Sequence, residues 1–481
     1  MIMKLKTVLT FLYLVVSIPL FLFFKAEIII WLSFFVNLLL ITSVIYYHLN
    51  YEKSFSPFLT SFIVFVYLFF IVAPVIQISS FKSGNSVFPT NYPYDTSEII
   101  YANILIFAFN VIFFVSYVFL KNKQQIKMKY SNISQNKSSI TSITPLTILL
   151  IFILCFIIFC LNYGYIIDDI TQSIYKAQNE PVSSLLVKRK VLFLIPLGGI
   201  VITYIYSKQR KKITTNTLVA FFVLISLIFI LFFFKNPLSE KRNALGPIYI
   251  TLIYLFKPKL LNSNSKFFLF MFLSMVIIFP IMSTFTHIDA SLKEMMVNPK
   301  LIVDSFIRFG GISDSFSSLH YDAYANIMAT VDYVKVNGYS YGYQLLSSLL
   351  FFVPRSLWAT KPTSTGELVG DYLIDEYNFG YSNLSNSLVS EGYIDFGIFG
   401  LIFMAIILAY FIIRLLSWLH NTDPLKKYIA FYFSVHLIFL LRGDLTNGFS
   451  YYIGTFIGVY TIPRLVNGFT KYVIRSKNIK T

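Results

Sequence analysis

The chain is built around apolar runs long enough to cross a lipid bilayer. A hydrocarbon core takes ~20 consecutive apolar residues per helix. Runs near that length occupy 7–24, 28–47, 58–77, 98–120, 145–163, 191–207, 216–234, 267–286, 397–414 and 450–468. Two shorter runs, 245–256 and 428–441, span only with flanking residues or a kink. Of 481 residues, 56% are hydrophobic and 13% charged, against roughly 25% charged in soluble domains. A water-soluble domain cannot hide that much apolar surface, so a soluble enzyme, a disordered tail and a fibre are excluded. The expected fold is an all-α polytopic membrane protein with about twelve transmembrane helices.

Charge fixes the orientation. The net charge is +17, and alternation of the spans gathers the basic loops on one side. These hold Lys4 and Lys6, Lys53, the lysines between 121 and 137, Lys208–Lys212, Lys257–Lys266, Arg414–Lys427 and Lys471–Lys480. Of 22 acidic residues, only Glu52 and Asp423 fall on that side. Basic loops mark the cytoplasmic face, so both termini are expected there. The basic balance is thereby a topology signal, and nucleic acid is not an expected partner; membrane lipids are. The first run lacks a small-x-small cleavage site and reads as an anchor. The two cysteines, Cys155 and Cys160, share one apolar run and form neither a disulfide framework nor a zinc pattern.

The organisation follows from the spans. Residues 1–120 hold helices 1–4, 121–144 a basic cytoplasmic linker, and 145–286 helices 5–9. Residues 287–396 form a large extracytoplasmic loop, and 397–481 hold helices 10–12 with a cytoplasmic tail. A connection that long is usually functional. Its apolar run 343–353 is too short to span and is expected at the membrane interface.

Chemistry-bearing residues cluster outside. Arg242 (SEKRNALG), Arg308 (FIRFGG), Arg355 (FFVPRSLW) and Arg442 (LLRGDLTNG) face outward, with Lys361 close behind Arg355. Arg242, Arg355 and Arg442 sit at one membrane depth and suit a diphosphate, because a guanidinium offers a fixed donor fork to phosphate oxygens. The plainer reading is snorkelling to headgroups. Segment 364–376 reads as a short helix with a Ser364–Glu367 capping box. Glu367, Asp371 and Asp375 repeat at four-residue spacing on one face, either solvated or forming an acidic wall for sugar hydroxyls. Glu391 and Asp395 are also four apart, one turn above the next span. Like charges in a low-dielectric boundary favour a protonatable carboxylate, which suits a general base, though polar helix-entry residues facing headgroups fit equally. Glu391 is the first choice, with Asp395 and Asp371 behind it. The five scattered histidines give no metal-ligand spacing, and no nucleotide loop or serine-hydrolase elbow is present, so no cofactor is expected.

The run PRSLWATKP (354–362), followed by SNSLVSEGYIDFGIFGLI (385–402), resembles the oligosaccharide repeat-unit polymerases (Wzy-type O-antigen and capsule polymerases). The likeness covers roughly residues 235–460 and departs from the family pattern at Ala359–Thr360. It implies a membrane glycosyltransferase on the outer face of the plasma membrane. The growing glycan on undecaprenyl diphosphate would be the donor and a lipid-linked repeat unit the acceptor. A chain-length regulator would be a protein partner. An O-antigen ligase remains open, with His320 in the outer loop. A repeat-unit flippase remains open too, although its spans would normally carry charges facing a cavity.

Overall fold

A computed structural model describes residues 5–81, 86–131, 143–171, 182–210, 214–237, 240, 242–281, 297–308 and 315–480. These residues are helical throughout, apart from turns and one isolated bridge between Val87 and Pro93. Eight helices are long and apolar enough to cross a membrane: Leu5–Leu22, Ile28–Tyr51, Pro57–Ser80, Thr96–Gln124, Thr215–Phe234, Asn264–Ile281, Leu388–Leu419 and Pro424–Arg442. Pro145–Leu161 and Asn243–Phe256 are shorter apolar helices.

Burial separates the central helices from those facing lipid. In Pro57–Ser80, 94% of the apolar window is inside the protein, against 22% for Leu5–Leu22. Phe58, Phe62, Phe65 and Phe69 are fully buried along the central helix, and Phe62 stacks on Phe113 at 3.9 Å. Backbone polar groups must be satisfied within each spanning helix, and the π-turn at Leu68–Val72 keeps this one continuous. Pro424–Arg442 packs against it, and Leu388–Leu419 packs along Thr96–Ser131.

Three segments share one buried polar cluster at the ends of their helices. Glu52 accepts from the Tyr117 hydroxyl and from Lys121 Nζ, and its second oxygen meets His48 Nδ1. His48 Nε2 pairs with Thr60 at 2.8 Å. A buried carboxylate is tolerated when it is paired and hydrogen-bonded, and Glu52 is both.

The Leu388–Leu419 helix is broken at Phe396 and Gly397, where Gly397 has φ +59°. The two limbs turn so sharply that a Cβ on Gly400 would lie 1.9 Å from the Gly392 carbonyl oxygen. Glycine is required at both faces of that contact. The close approach of Gly392 and Gly400 is therefore made between the two limbs of one helix. Glu391 and Asp395 consequently ride on a short limb set apart from the apolar one that follows.

Candidate functional site

The site is assembled around the segment Ser385-Asn386-Ser387. Helix Thr365–Tyr377 begins at Ser364, whose hydroxyl accepts the Glu367 N–H, as the sequence suggested. Gly366 and Gly370 lie one turn apart on this helix. Added Cβ atoms there would stand 2.1 Å from the Leu384 oxygen and 2.0 Å from the Ser382 oxygen. These two glycines let the extended segment 382–386 lie directly on the helix and pass into the interior.

On its other side that segment meets helix Ala323–Asn337. Asn326 Nδ2 donates to the Ser385 carbonyl, and Thr330 donates to both the Asn326 carbonyl and Asn386 Oδ1. The Ser385 hydroxyl donates to Asp322 at 2.6 Å, and Ser387 caps the next helix through the Ser390 N–H. Asp322, Asn326, Asn386, Ser387 and Ser390 are all buried. A polar layer this deep would cost several kcal/mol if it were left unbonded.

Arg442 closes the layer. It is the last residue of Pro424–Arg442, and its Nη2 donates to the Leu319 carbonyl at 2.9 Å and to Asp322 Oδ1 at 3.3 Å. Its Nε is buried with no partner among the described residues, as are Asn386 Nδ2 and Asn326 Oδ1. The guanidinium thus keeps donor capacity beyond its bond to Asp322.

Glu391 is buried on the short limb. Its Oε1 accepts from the Thr365 hydroxyl at 2.6 Å and from the Leu445 N–H at 2.7 Å. Asp444 caps the helix that Leu445 begins, accepting from Asn447 N and Nδ2. Two carboxylates therefore converge on one helix start, where the dipole favours negative charge. Burial raises the Asp444 carboxyl above its usual range, against the bonds from Asn447 and the nearby Lys190.

The remaining expected residues lie elsewhere. Asp395 accepts three backbone N–H groups, from Gly342, Gln344 and Leu345, at 3.1, 3.2 and 2.9 Å. Both oxygens help hold the start of the short helix Tyr343–Leu349, which gives this carboxylate a structural use. Lys361 Nζ donates to the carbonyls of Leu350, Phe351 and Val353 at 2.9–3.0 Å. An ammonium has three donors, so this lysine ties its loop and has none left for a phosphate. Burial and the neighbouring Arg355 both lower its pKa. Arg355 is exposed on that loop, and the Ser348–Thr446 bond at 2.7 Å brings the loop's preceding helix onto the start of the Leu445 helix. Asp371 is exposed on Thr365–Tyr377, and Arg308 is exposed at the end of Lys300–Arg308. Arg242 opens the helix Arg242–Phe256, but its side chain lies outside the described residues.

Sequence reasoning missed Asp322, Asn326, Asn386 and Asp444. Their association depends on long-range packing. The serine and asparagine density of 382–390 was the one available signal. Among the described residues, no group of three or more His, Cys, Asp or Glu is placed to hold a metal ion. The arrangement offers buried hydroxyls, amides, a guanidinium and two carboxylates, a set suited to polyhydroxylated and anionic ligands. No family model, curated protein or solved structure matches the chain.

Proposed function

We propose that the protein is a membrane glycosyltransferase that polymerises lipid diphosphate-linked oligosaccharide repeat units at the outer face of a bacterial plasma membrane. The observation that carries this reading is the junction of buried Glu391 and Asp444 with half-buried Arg442 at the outer ends of helices otherwise almost wholly apolar. A guanidinium with spare donors supports a leaving diphosphate as its charge grows. A carboxylate positioned by two donors supports removal of a proton from an acceptor hydroxyl. The glycosidic bond to the donor diphosphate breaks, the acceptor oxygen takes the anomeric carbon, and the hydroxyl proton passes to the carboxylate.

The topology proposed with it has twelve spans. The eight long helices are joined by Pro145–Leu161, Ile195–Gln209, Arg242–Phe256 and the continuous helix Leu445–Lys480. Both termini are then cytoplasmic, and the buried junction faces outward.

The test is a strain lacking this chain, analysed for lipid-linked glycans. Accumulation of single repeat units, with long chains restored by the parent sequence, is the expected result. Normal chain length in the deletion strain overturns the reading. Complete chains that stay on the lipid carrier would instead identify the ligase alternative.

A further inference from the structure

The far end of the last helix turns polar side chains toward the protein and apolar ones away from it. In Ile462–Lys480, Pro463, Asn467 and Thr470 are buried. Asn467 and Thr470 pair with the Thr147 hydroxyl at 3.1 and 2.7 Å, so their polarity is used in packing against Pro145–Leu161. Leu465, Phe469 and Tyr472 follow at four- and three-residue spacing on another face and are 62–72% exposed. Beside them runs a second row, Arg464, Gly468, Lys471 and Arg475. No Asp or Glu occurs anywhere in 445–481.

Neighbouring residues set the depth of this end. From Leu445 to Arg464 is ~30 Å along a helix, the thickness of a hydrocarbon core. Arg464 Nη1 donates to Asp423 Oδ2 at 3.2 Å. Asp423 in turn accepts the Leu425 N–H at 3.0 Å, capping Pro424–Arg442 at the end opposite Arg442. Trp418 stacks on Tyr460 at 6.1 Å, and tryptophan and tyrosine gather at headgroup level. Arg464 therefore marks the edge of the hydrocarbon, and Phe469 and Tyr472 reach up to ~12 Å beyond it. Exposed aromatic rings at that depth need a cover.

A groove of ≈ 410 Å³ lies here, lined by Tyr460, Arg464, Leu465, Gly468 and Phe469. Gly468 opens it, because a Cβ at that position would meet no atom within 4 Å. The guanidinium at its wall keeps donors in reserve. Its bonds among the described residues, to Asp423 and to the Tyr460 hydroxyl, both run through Nη1. Partial burial, and then the neighbouring Arg475, hold the Lys471 amine below the usual lysine range. An anion between Arg464 and Lys471 offsets that crowding of cations. A soluble anion would leave Leu465 and Phe469 in water, and an apolar peptide would leave the cations unmatched. A phospholipid with a negative headgroup meets both rows.

We propose that this groove is a binding site for an anionic phospholipid. The phosphate lies over Gly468 between Arg464 and Lys471, and an acyl chain runs along Leu465 toward Tyr460. The site is at the opposite membrane face from the Glu391–Arg442 junction and does not depend on the polymerase reading. Under the topology proposed above that face is cytoplasmic, where anionic lipids attract basic segments.

The test uses the full chain purified in detergent and titrated with phosphatidylglycerol or phosphatidylcholine, bound lipid being read by native mass spectrometry. The parent is compared with Arg464→Gln, Lys471→Gln, Gly468→Leu and Lys257→Gln. Preferential retention of phosphatidylglycerol by the parent is expected. Arg464→Gln and Lys471→Gln should each weaken it on the order of fivefold. Gly468→Leu alters no charge, replaces a poor helix former and fills the groove, so it should fold like the parent and lose the preference. Lys257→Gln removes an exposed lysine on another loop and should bind like the parent. Should Arg464→Gln fail to fold because Asp423 loses its partner, Lys471→Gln and Gly468→Leu decide. Equal retention of both lipids by the parent overturns the site, as does parent-like binding by Gly468→Leu. A loss in Lys257→Gln as large as in Lys471→Gln shows unspecific surface attraction and overturns it too. Displacement of the lipid by free glycerol phosphate would identify a soluble anion and overturn the lipid assignment.

Discussion

Glu391 and Thr365 stand 26 positions apart in the chain and share a 2.6 Å hydrogen bond whose acceptor oxygen also takes the Leu445 N–H. One carboxylate oxygen therefore joins three elements: the short limb before the Gly397 break, the helix after Ser364, and the last helical segment. Any movement of the outer loop relative to the helix ends is coupled through this atom.

Glu391→Gln separates tethering from proton transfer. The amide oxygen still accepts from Thr365 and Leu445, so the melting temperature is expected to stay near that of the parent. If Glu391 is the base of the proposed transfer, loss of the proton acceptor is expected to lower chain extension by about 10²–10⁴-fold. Gel analysis of lipid-linked glycans beside a thermal-shift measurement checks both halves. Unchanged chain length with Gln rules Glu391 out as the base.

Asp444→Asn is expected to keep the cap, because asparagine caps helices as well as aspartate does. The carboxyl is raised by burial in the folded protein. As pH rises, the unfolded chain ionises this group first, so its contribution favours the fold fully only below the ordinary aspartate range. That contribution is lost as pH climbs through the raised folded value. The variant lacks this dependence. Its stability relative to the parent should therefore increase as pH rises above the ordinary aspartate value (about 4), as read by thermal unfolding in detergent. A gap that shrinks with rising pH contradicts the assignment.

The His48–Glu52–Lys121 cluster predicts the opposite sign at Glu52. Burial alone would raise this carboxyl, but bonding and charge from His48 and Lys121 outweigh it and hold it below its usual range. Stability from Glu52 is present above the unfolded value and is lost as pH falls through the folded one. Glu52→Gln leaves Lys121 buried without its counter-charge, and breaking such a pair typically costs about 3–5 kcal/mol. Unfolding at neutral pH should show that loss. Parent-like stability would mean that Lys121 finds another partner.

The membrane character and the all-helical fold were legible because apolar length and charge alternation are local properties. The helix at 365–377 was legible for the same reason, since Ser364 and Glu367 lie three residues apart. The site was only partly so. Glu391 and Arg442, named from the sequence, lie in the buried polar layer, but Asp395 and Lys361 look identical in sequence to residues free for chemistry. Their donors and acceptors are consumed by backbone groups of the turns around residues 342–345 and 350–353, contacts that only packing creates. Asp322 and Asn386 carried no pattern of their own, being defined by the chain that crosses them.

The two arginines best described by the structure should now behave differently, which separates ligand binding from architecture. Arg355 is exposed and Arg442 is paired with buried Asp322. Removing Arg442 leaves the Asp322 carboxylate, 1% exposed, with the Ser385 hydroxyl as its one remaining side-chain donor among the described residues. Truncating one partner of a buried pair is strongly destabilising, by about 3–5 kcal/mol. Arg442→Ala is therefore expected to lower both melting temperature and chain extension. The double variant with Asp322→Asn should recover stability without recovering activity, because the amide needs no counter-charge while the diphosphate still lacks its fork. Arg355→Ala, touching no buried acid, should leave the melting temperature unchanged and reduce extension on the order of a hundredfold if its guanidinium meets the leaving diphosphate. Arg355→Lys keeps charge without the planar fork and should remain impaired. Thermal unfolding and glycan chain length, measured on all four variants, check the scheme. Normal chain length in Arg355→Ala returns that residue to the lipid headgroups. Full activity in the Arg442→Ala, Asp322→Asn double variant makes the pair purely architectural.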